Sequence, residues 1–83
     1  IDSYGWVLYR LGRTEEALVE LLRAFTKQKD AEIAAHVAEV LWVLGRKDEA
    51  VNYFVEARRI DPDSRSLKRA LDKTGAVLPP LPD

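Results

Sequence analysis

Apolar residues recur along this chain with the period of a helix. Ala17, Leu18, Leu21, Leu22 and Phe25 form one run; Ile33, Ala34, Val37, Val40, Leu41 and Leu44 form a second; Ala50, Val51, Phe54, Val55 and Ala57 form a third. Spacings of three and four put each set on one side of a helix, and the period-two alternation of a half-buried strand does not occur. Glycine and proline punctuate the pattern. No glycine lies between Gly12 and Gly45, or between Gly45 and Gly75, and Pro62 is the only proline before the C-terminal tail. A glycine just past the last apolar position of a helix reads as its left-handed terminal residue. Beyond Gly12 and Gly45 follow Glu15-Glu16 and Asp48-Glu49, carboxylates suited to the positive end of a new helix. The pattern predicts an all-α fold with helices at 2–11, 14–28, 31–44, 47–60 and 64–73, and Asp30 and Ser64 as N-caps of the third and fifth. Connections this short make consecutive helices antiparallel. From Gly75 onward the run to Pro82 cannot continue a helix, so 75–83 is expected to be a flexible, polyproline-like tail.

The two halves of the chain repeat. Gly5 falls on Ala38, Leu8 on Leu41, Leu11 on Leu44, Gly12 on Gly45, Arg13 on Arg46, Glu16 on Glu49, Ala17 on Ala50, Leu21 on Phe54 and Ala24 on Ala57, all at an offset of 33. Small residues at Gly5/Ala38, Ala17/Ala50 and Ala24/Ala57 let the helices of a hairpin approach closely, and Leu8/Leu41 with Leu21/Phe54 fill the space between them.

On these residues, over about 1–73, the chain resembles the tetratricopeptide-repeat proteins, whose period is about 34 residues. The second unit also closes with Asp61-Pro62, as that family does. Departures exist: Ala34 and Ile1 stand where the family carries a front tryptophan, and Lys29 stands where it carries proline, in a turn one residue short. An altered turn around Lys27 to Asp30 is therefore expected. The resemblance implies a right-handed α-solenoid fragment of antiparallel helix-turn-helix units. It divides 1–74 into units at about 1–29 and 31–62 plus a capping helix at 64–73, with Leu67, Ala70 and Leu71 facing inward. The segments around Asp2 to Arg13, Ile33 to His36 and Val40 to Arg46 are also similar to the C-terminal repeats of proteobacterial outer-membrane lipoproteins. Those are periplasmic adaptors, some of which deliver substrates to a carboxyl-terminal processing protease. That similarity implies a periplasmic adaptor held at the outer membrane through its parent lipoprotein, with such a protease and its substrates as partners; a cytoplasmic location is the alternative.

In this family partners lie along the concave surface made by the first helix of each unit. Carried over position by position, that surface comprises Asp2, Trp6, Tyr9, Arg10, Glu32, Ala35, Glu39, Trp42 and Val43. The two tryptophans would be its anchors, and the competing reading packs them into the next repeat or the cap. Arg10 would meet a peptide carboxylate or, alternatively, only the negative end of its own helix. Asp2, Glu32 and Glu39 would give the groove an acidic side, unless they are simply solvated. The function expected is binding of a partner protein or extended peptide in the groove, with self-association through the exposed face of the first unit as the alternative.

Composition narrows the chemistry. Eighty-three residues make one small domain, and thirteen basic against fourteen acidic side chains leave no overall field to gather nucleic acid. The late cluster Arg58, Arg59, Arg65, Lys68, Arg69 and Lys73 is interleaved with Glu56, Asp61, Asp63 and Asp72 and reads as a solvated cap. No cysteine is present, which removes disulfides, thiolate metal sites and a cysteine nucleophile. No methionine occurs either, even at position 1, so the chain is expected to be a piece of a longer one. No apolar run approaches the ~20 residues of a spanning helix. Glu32, His36 and Glu39 sit at i, i+4 and i+7 and would share a helix face, a weak pattern for a divalent cation with no second histidine to close it. The lone histidine has no serine or cysteine partner poised beside it, and no glycine-rich phosphate loop occurs, so neither an enzyme nor a cofactor or metal is expected. The Leu78 to Pro82 stretch has the form of a minimal proline-rich ligand, read as tail.

Overall fold

The computed structural model describes residues 4–80. They form five helices and no strand: α1 (Tyr4–Arg10), α2 (Thr14–Lys27), α3 (Ala31–Val43), α4 (Lys47–Ile60) and α5 (Arg65–Thr74). Each expected helix is present; α4 has the expected bounds, and the described ends of the others agree with expectation to within one residue. The front of the first expected helix, with Ile1 and Asp2, lies outside the described residues.

The α1–α2 and α3–α4 turns are the same structure built twice. Gly12 and Gly45 both have φ +84°. In the first turn the Gly12 amide donates to Tyr9 and the Arg13 amide to Leu8; in the second, Gly45 donates to Trp42 and Arg46 to Leu41. These are the paired bonds of a Schellman motif, which use the last orphan carbonyls of the helix and reverse the chain. Arg13 and Arg46 then serve as N-cap residues with no side-chain cap bond. Instead each guanidinium forks onto a carboxylate three residues on. Arg13 reaches Glu16 at 2.9 and 2.6 Å, and Arg46 reaches Glu49 at 3.1 and 2.6 Å. All four side chains are about half exposed, so these pairs fix the local geometry and add little stability.

The connections between hairpins differ, as the missing residue in the first unit requires. Between α2 and α3 the chain needs three residues, and the Asp30 amide closes a tight turn on the Gln28 carbonyl. Asp30 is extended and its carboxylate accepts from the Glu32 and Ile33 amides, an N-cap. Between α4 and α5 the longer loop runs through Asp61, whose side chain accepts from the Asp63 amide, and ends in Ser64, which caps α5 through the Leu67 amide.

The core is built around α3, which packs on α2, α4 and α5, with α1 packed on α2. Gly5 and Leu8 of α1 meet Leu21 of α2. Ala34, Val37, Ala38 and Leu41 of α3 meet Ala50, Phe54 and Ala57 of α4, and Leu67 and Ala70 of α5 close the end. Alanine dominates the α3–α4 contact because a small side chain lets the axes approach, and Phe54, the largest fully buried side chain, fills what remains. Leu71 packs against the same cluster, so α5 turns the face to the core that its sequence pattern implies. Past Gly75 the backbone is irregular, but it is held at two points: Ala76 and Leu78 pack back onto the core, because a segment with apolar residues at alternate positions can lay one side on it. Residues 81–83 lie outside the description. No helix among the described residues is long and apolar enough to cross a membrane.

Candidate functional site

Helices α1, α3 and α5 contribute side chains to one continuous row. On α1, Trp6 and Tyr9 are one turn apart and stack with ring centroids 4.9 Å apart. Trp6 also lies over the imidazole of His36 on α3, centroid to centroid 3.8 Å and nearly parallel at 12°. The Tyr9 phenol lies beside the Glu39 carboxylate, also on α3, close enough for the two to interact. Glu39 in turn accepts from the Lys73 ammonium of α5 at 3.1 Å, and that ammonium sits 5.5 Å from the Tyr9 ring centroid. Tyr9, Glu39 and Lys73 thus tie the three helices together by one chain of polar contacts.

Electrostatically the centre of this row is Glu39, only 4% exposed. A buried carboxylate needs compensation, and here it comes from a hydroxyl on one side and an ammonium on the other. Burial, together with the adjoining Glu39 carboxylate, pushes the Tyr9 phenol up to about 12. The neutral phenol is the form the fold favours. A pKa raised above the ordinary value near 10 therefore contributes stability fully present below about pH 10 and lost as the pH climbs toward 12. The phenolate absorbance of the wild type should show a late component near pH 12 that is missing from Tyr9→Phe, and that variant should lose less stability between pH 10 and 12. Identical titration curves for the two proteins would remove this role of Tyr9.

The sequence-derived groove is only partly an open surface. Trp6, Tyr9 and Trp42 are half-buried, and Arg10, Glu32 and Val43 are exposed. Ala35 is fully buried and Glu39 nearly so, because α5 lies along that side of α3; neither side chain offers itself to a partner. Asp2 lies outside the described residues. Trp42 packs against the core, with the Lys47 ammonium 4.9 Å from its ring, at the α3–α4 end of the face. Arg10 stands in the last turn of α1, where its charge meets the negative helix end. The acidic side expected of the groove is largely used up within the chain. Glu32 accepts from the Ser66 hydroxyl at 3.2 Å, and Glu39 is neutralised by Lys73. The same contacts, with His36 under Trp6, separate the three residues considered for a cation, and no group of three possible ligands is brought together among the described residues.

Two members of the row, His36 and Lys73, were not in the sequence-derived groove. A signal for Lys73 existed. Glu32 pairs with Ser66 and Glu39 with Lys73, each across 34 residues, so α5 runs along α3 in the register of one more unit. Extending the repeat count past Pro62 brings Trp6, Glu39 and Lys73 to the same position in three successive first helices.

Comparison with family models, with curated proteins and with solved structures found no match. A concavity of about 610 Å³ lies elsewhere, between α2 and α4, lined by Phe25, Lys29, Tyr53, Arg59 and Ile60 among others. Its charges are engaged locally: Lys29 sits 4.6 Å from the Phe25 ring centroid, and Arg59 is bonded to Glu56. The Phe25 and Tyr53 rings meet edge to face at 5.9 Å, which closes the floor of the cleft.

Proposed function

We propose that this chain is a helical-repeat binding module of the tetratricopeptide type, which holds a partner protein or an extended peptide across the α1/α3/α5 face. The observation that carries this reading is the row Trp6, His36, Tyr9, Glu39, Lys73, in which each member is fixed by its neighbour on another helix. Side chains locked before a partner arrives lose little conformational entropy on binding, and half-buried aromatic rings offer large contact areas with few rotatable bonds. Around them stand the exposed Val43 and Arg10 as an apolar and a cationic contact. The duplicated glycine turns and the 34-residue register between α3 and α5 support the repeat assignment.

A displayed library of random peptides, selected on the 83-residue chain, tests the reading. Selected peptides should bind Trp6→Ala and Val43→Lys about tenfold or more weakly, as truncating an aromatic anchor or charging the surface beside it commonly does. Val43 is exposed, so the second substitution probes the face without disturbing the core. Peptides that bind both variants as well as the wild type would overturn the proposal, as would a selection that yields none.

A further inference from the structure

The cleft between α2 and α4 differs from the α1/α3/α5 row in what its polar groups do. In the row, phenol, carboxylate and ammonium serve one another. Around the cleft most of them are uncommitted. Its floor is apolar: Phe25 and Tyr53 meet edge to face, and Ile60, 40% exposed, forms one wall. Above this floor the Lys29 ammonium has no carboxylate or carbonyl partner among the described residues. It rests 4.6 Å from the Phe25 ring centroid, at an exposed site where such a contact is weaker than a charge-assisted hydrogen bond. The Tyr53 hydroxyl and the Asn52 side-chain amide, both on the lining, make no hydrogen bond among the described residues. Glu56, the carboxylate of the lining, is taken by Arg59 through Nε and Nη2. Hydrogen-bond donors and one uncompensated positive charge thus converge over an aromatic floor.

The repeat does not dictate this arrangement. At an offset of 33 the counterparts of Phe25, Tyr53, Arg59 and Ile60 are Arg58, Glu20, Thr26 and Lys27, so these four lining residues are not duplicated. The lining draws on no residue of α1, of α5 or of the segment after it. We propose that this cleft binds a peptide segment of a partner protein in which a bulky apolar side chain adjoins a single carboxylate. The apolar side chain lies against Tyr53 and Ile60, and the carboxylate meets Lys29, with the Tyr53 hydroxyl and the Asn52 amide as further donors. The site is an open cleft, not an enclosed cavity, so the peptide chain on either side of these two residues can leave it. Charge limits the occupant further. The hollow that adjoins the cleft at Lys29 and Ile60 is lined by Asp30, Glu32, Asp61 and Asp63. A polyanion, whether nucleic acid or an anionic membrane, would run from the cations into these carboxylates; a segment with one acidic residue does not. The cleft shares no residue with the α1/α3/α5 row and stands or falls independently of the function proposed for that row.

The test titrates the isotopically labelled 83-residue chain with three pools of capped hexapeptides. Each has Gly-Ser flanks around a central pair: Phe, Tyr, Trp or Leu, followed by an acidic residue in the first pool, its amide in the second and lysine in the third. With the acidic pool, amide shifts should centre on Phe25, Lys29, Asn52, Tyr53 and Ile60, and the amide pool should bind about tenfold more weakly. Lys29→Glu, an exposed substitution, should remove the preference for the acidic pool at unchanged helicity. Lys68→Glu, the same charge change on α5, and Val43→Lys, beside the aromatic row, should keep it. Four results would overturn the proposal: no shifts at these amides up to millimolar peptide, equal binding of the acidic and amide pools, a preference that survives Lys29→Glu, or hydrocinnamate binding as tightly as the acidic pool, which would assign the cleft to a free small molecule.

Discussion

Phe54→Ala is expected to cost about 3–5 kcal/mol of folding free energy, the largest loss from any single truncation in this chain. Phe54 is completely buried on α4, in one cluster with Val37, Ala38 and Leu41 of α3 and with Leu67 of α5. The cost has two parts: the transfer free energy of the ring, and the cavity left among neighbours that cannot collapse to fill it. Several members of the cluster are alanines, whose methyl groups have no rotamers with which to close a gap. Small domains have only about 5–15 kcal/mol in total, so the variant should unfold at much lower urea concentration and temperature, if it folds at all at 25 °C. The equivalent side chain of the first unit, Leu21, is also buried, and Leu21→Ala should cost about 2–5 kcal/mol. Urea and thermal denaturation followed by circular dichroism would measure both. A loss under about 1 kcal/mol for Phe54→Ala would mean that the α3–α4 contact is not the core of this fold.

The contrast between what could and could not be read from the chain follows the range of the interactions. Helix ends were legible because glycine at φ +84°, an aspartate accepting two amides and a serine accepting one act within four residues of themselves. The altered turn before α3 was legible for the same reason, as a count of residues. Burial on the exposed-looking side of α3 was not. Ala35 and Glu39 share a helix face with positions that stay open, and their fate was decided by α5, which is separated from them by more than thirty residues of sequence. Lys73 looked like one of several solvated cations of the last helix, and only packing distinguishes it from Arg69 or Lys68. Equivalent positions in a repeat also need not be equally covered. Leu11 is exposed and Leu44 half-buried at the same place in two units, since among the described residues only the second has a helix packed before it.

Gly5→Val should destabilise the chain by about 1–3 kcal/mol and, in doing so, disturb the row of aromatic residues that starts one position later. A Cβ atom at Gly5 would lie 2.8 Å from Cγ of Leu21 and 3.1 Å from its backbone nitrogen. The first of these is the branch point of a side chain that is itself buried, and the second belongs to the middle of α2, so neither can swing aside. The helices must separate. Gly5→Ala meets the same obstacle, but regains up to about 1 kcal/mol because alanine favours the helix over glycine. The alanine variant should therefore lie between the wild type and Gly5→Val, although Ala38 is accommodated at the matching place against Phe54. Since Trp6 is carried by the same short helix and stacks on His36 at 3.8 Å, a displacement of α1 from α2 alters that stack. In a Trp42→Phe background Trp6 is the only tryptophan, and its emission reports the change directly. A red-shifted emission in Gly5→Val, graded through Gly5→Ala and accompanied by lower stability, is the expected result. Unchanged emission and stability in both variants would show that α1 does not depend on its close approach to Leu21, and that the aromatic row is positioned from α3 alone.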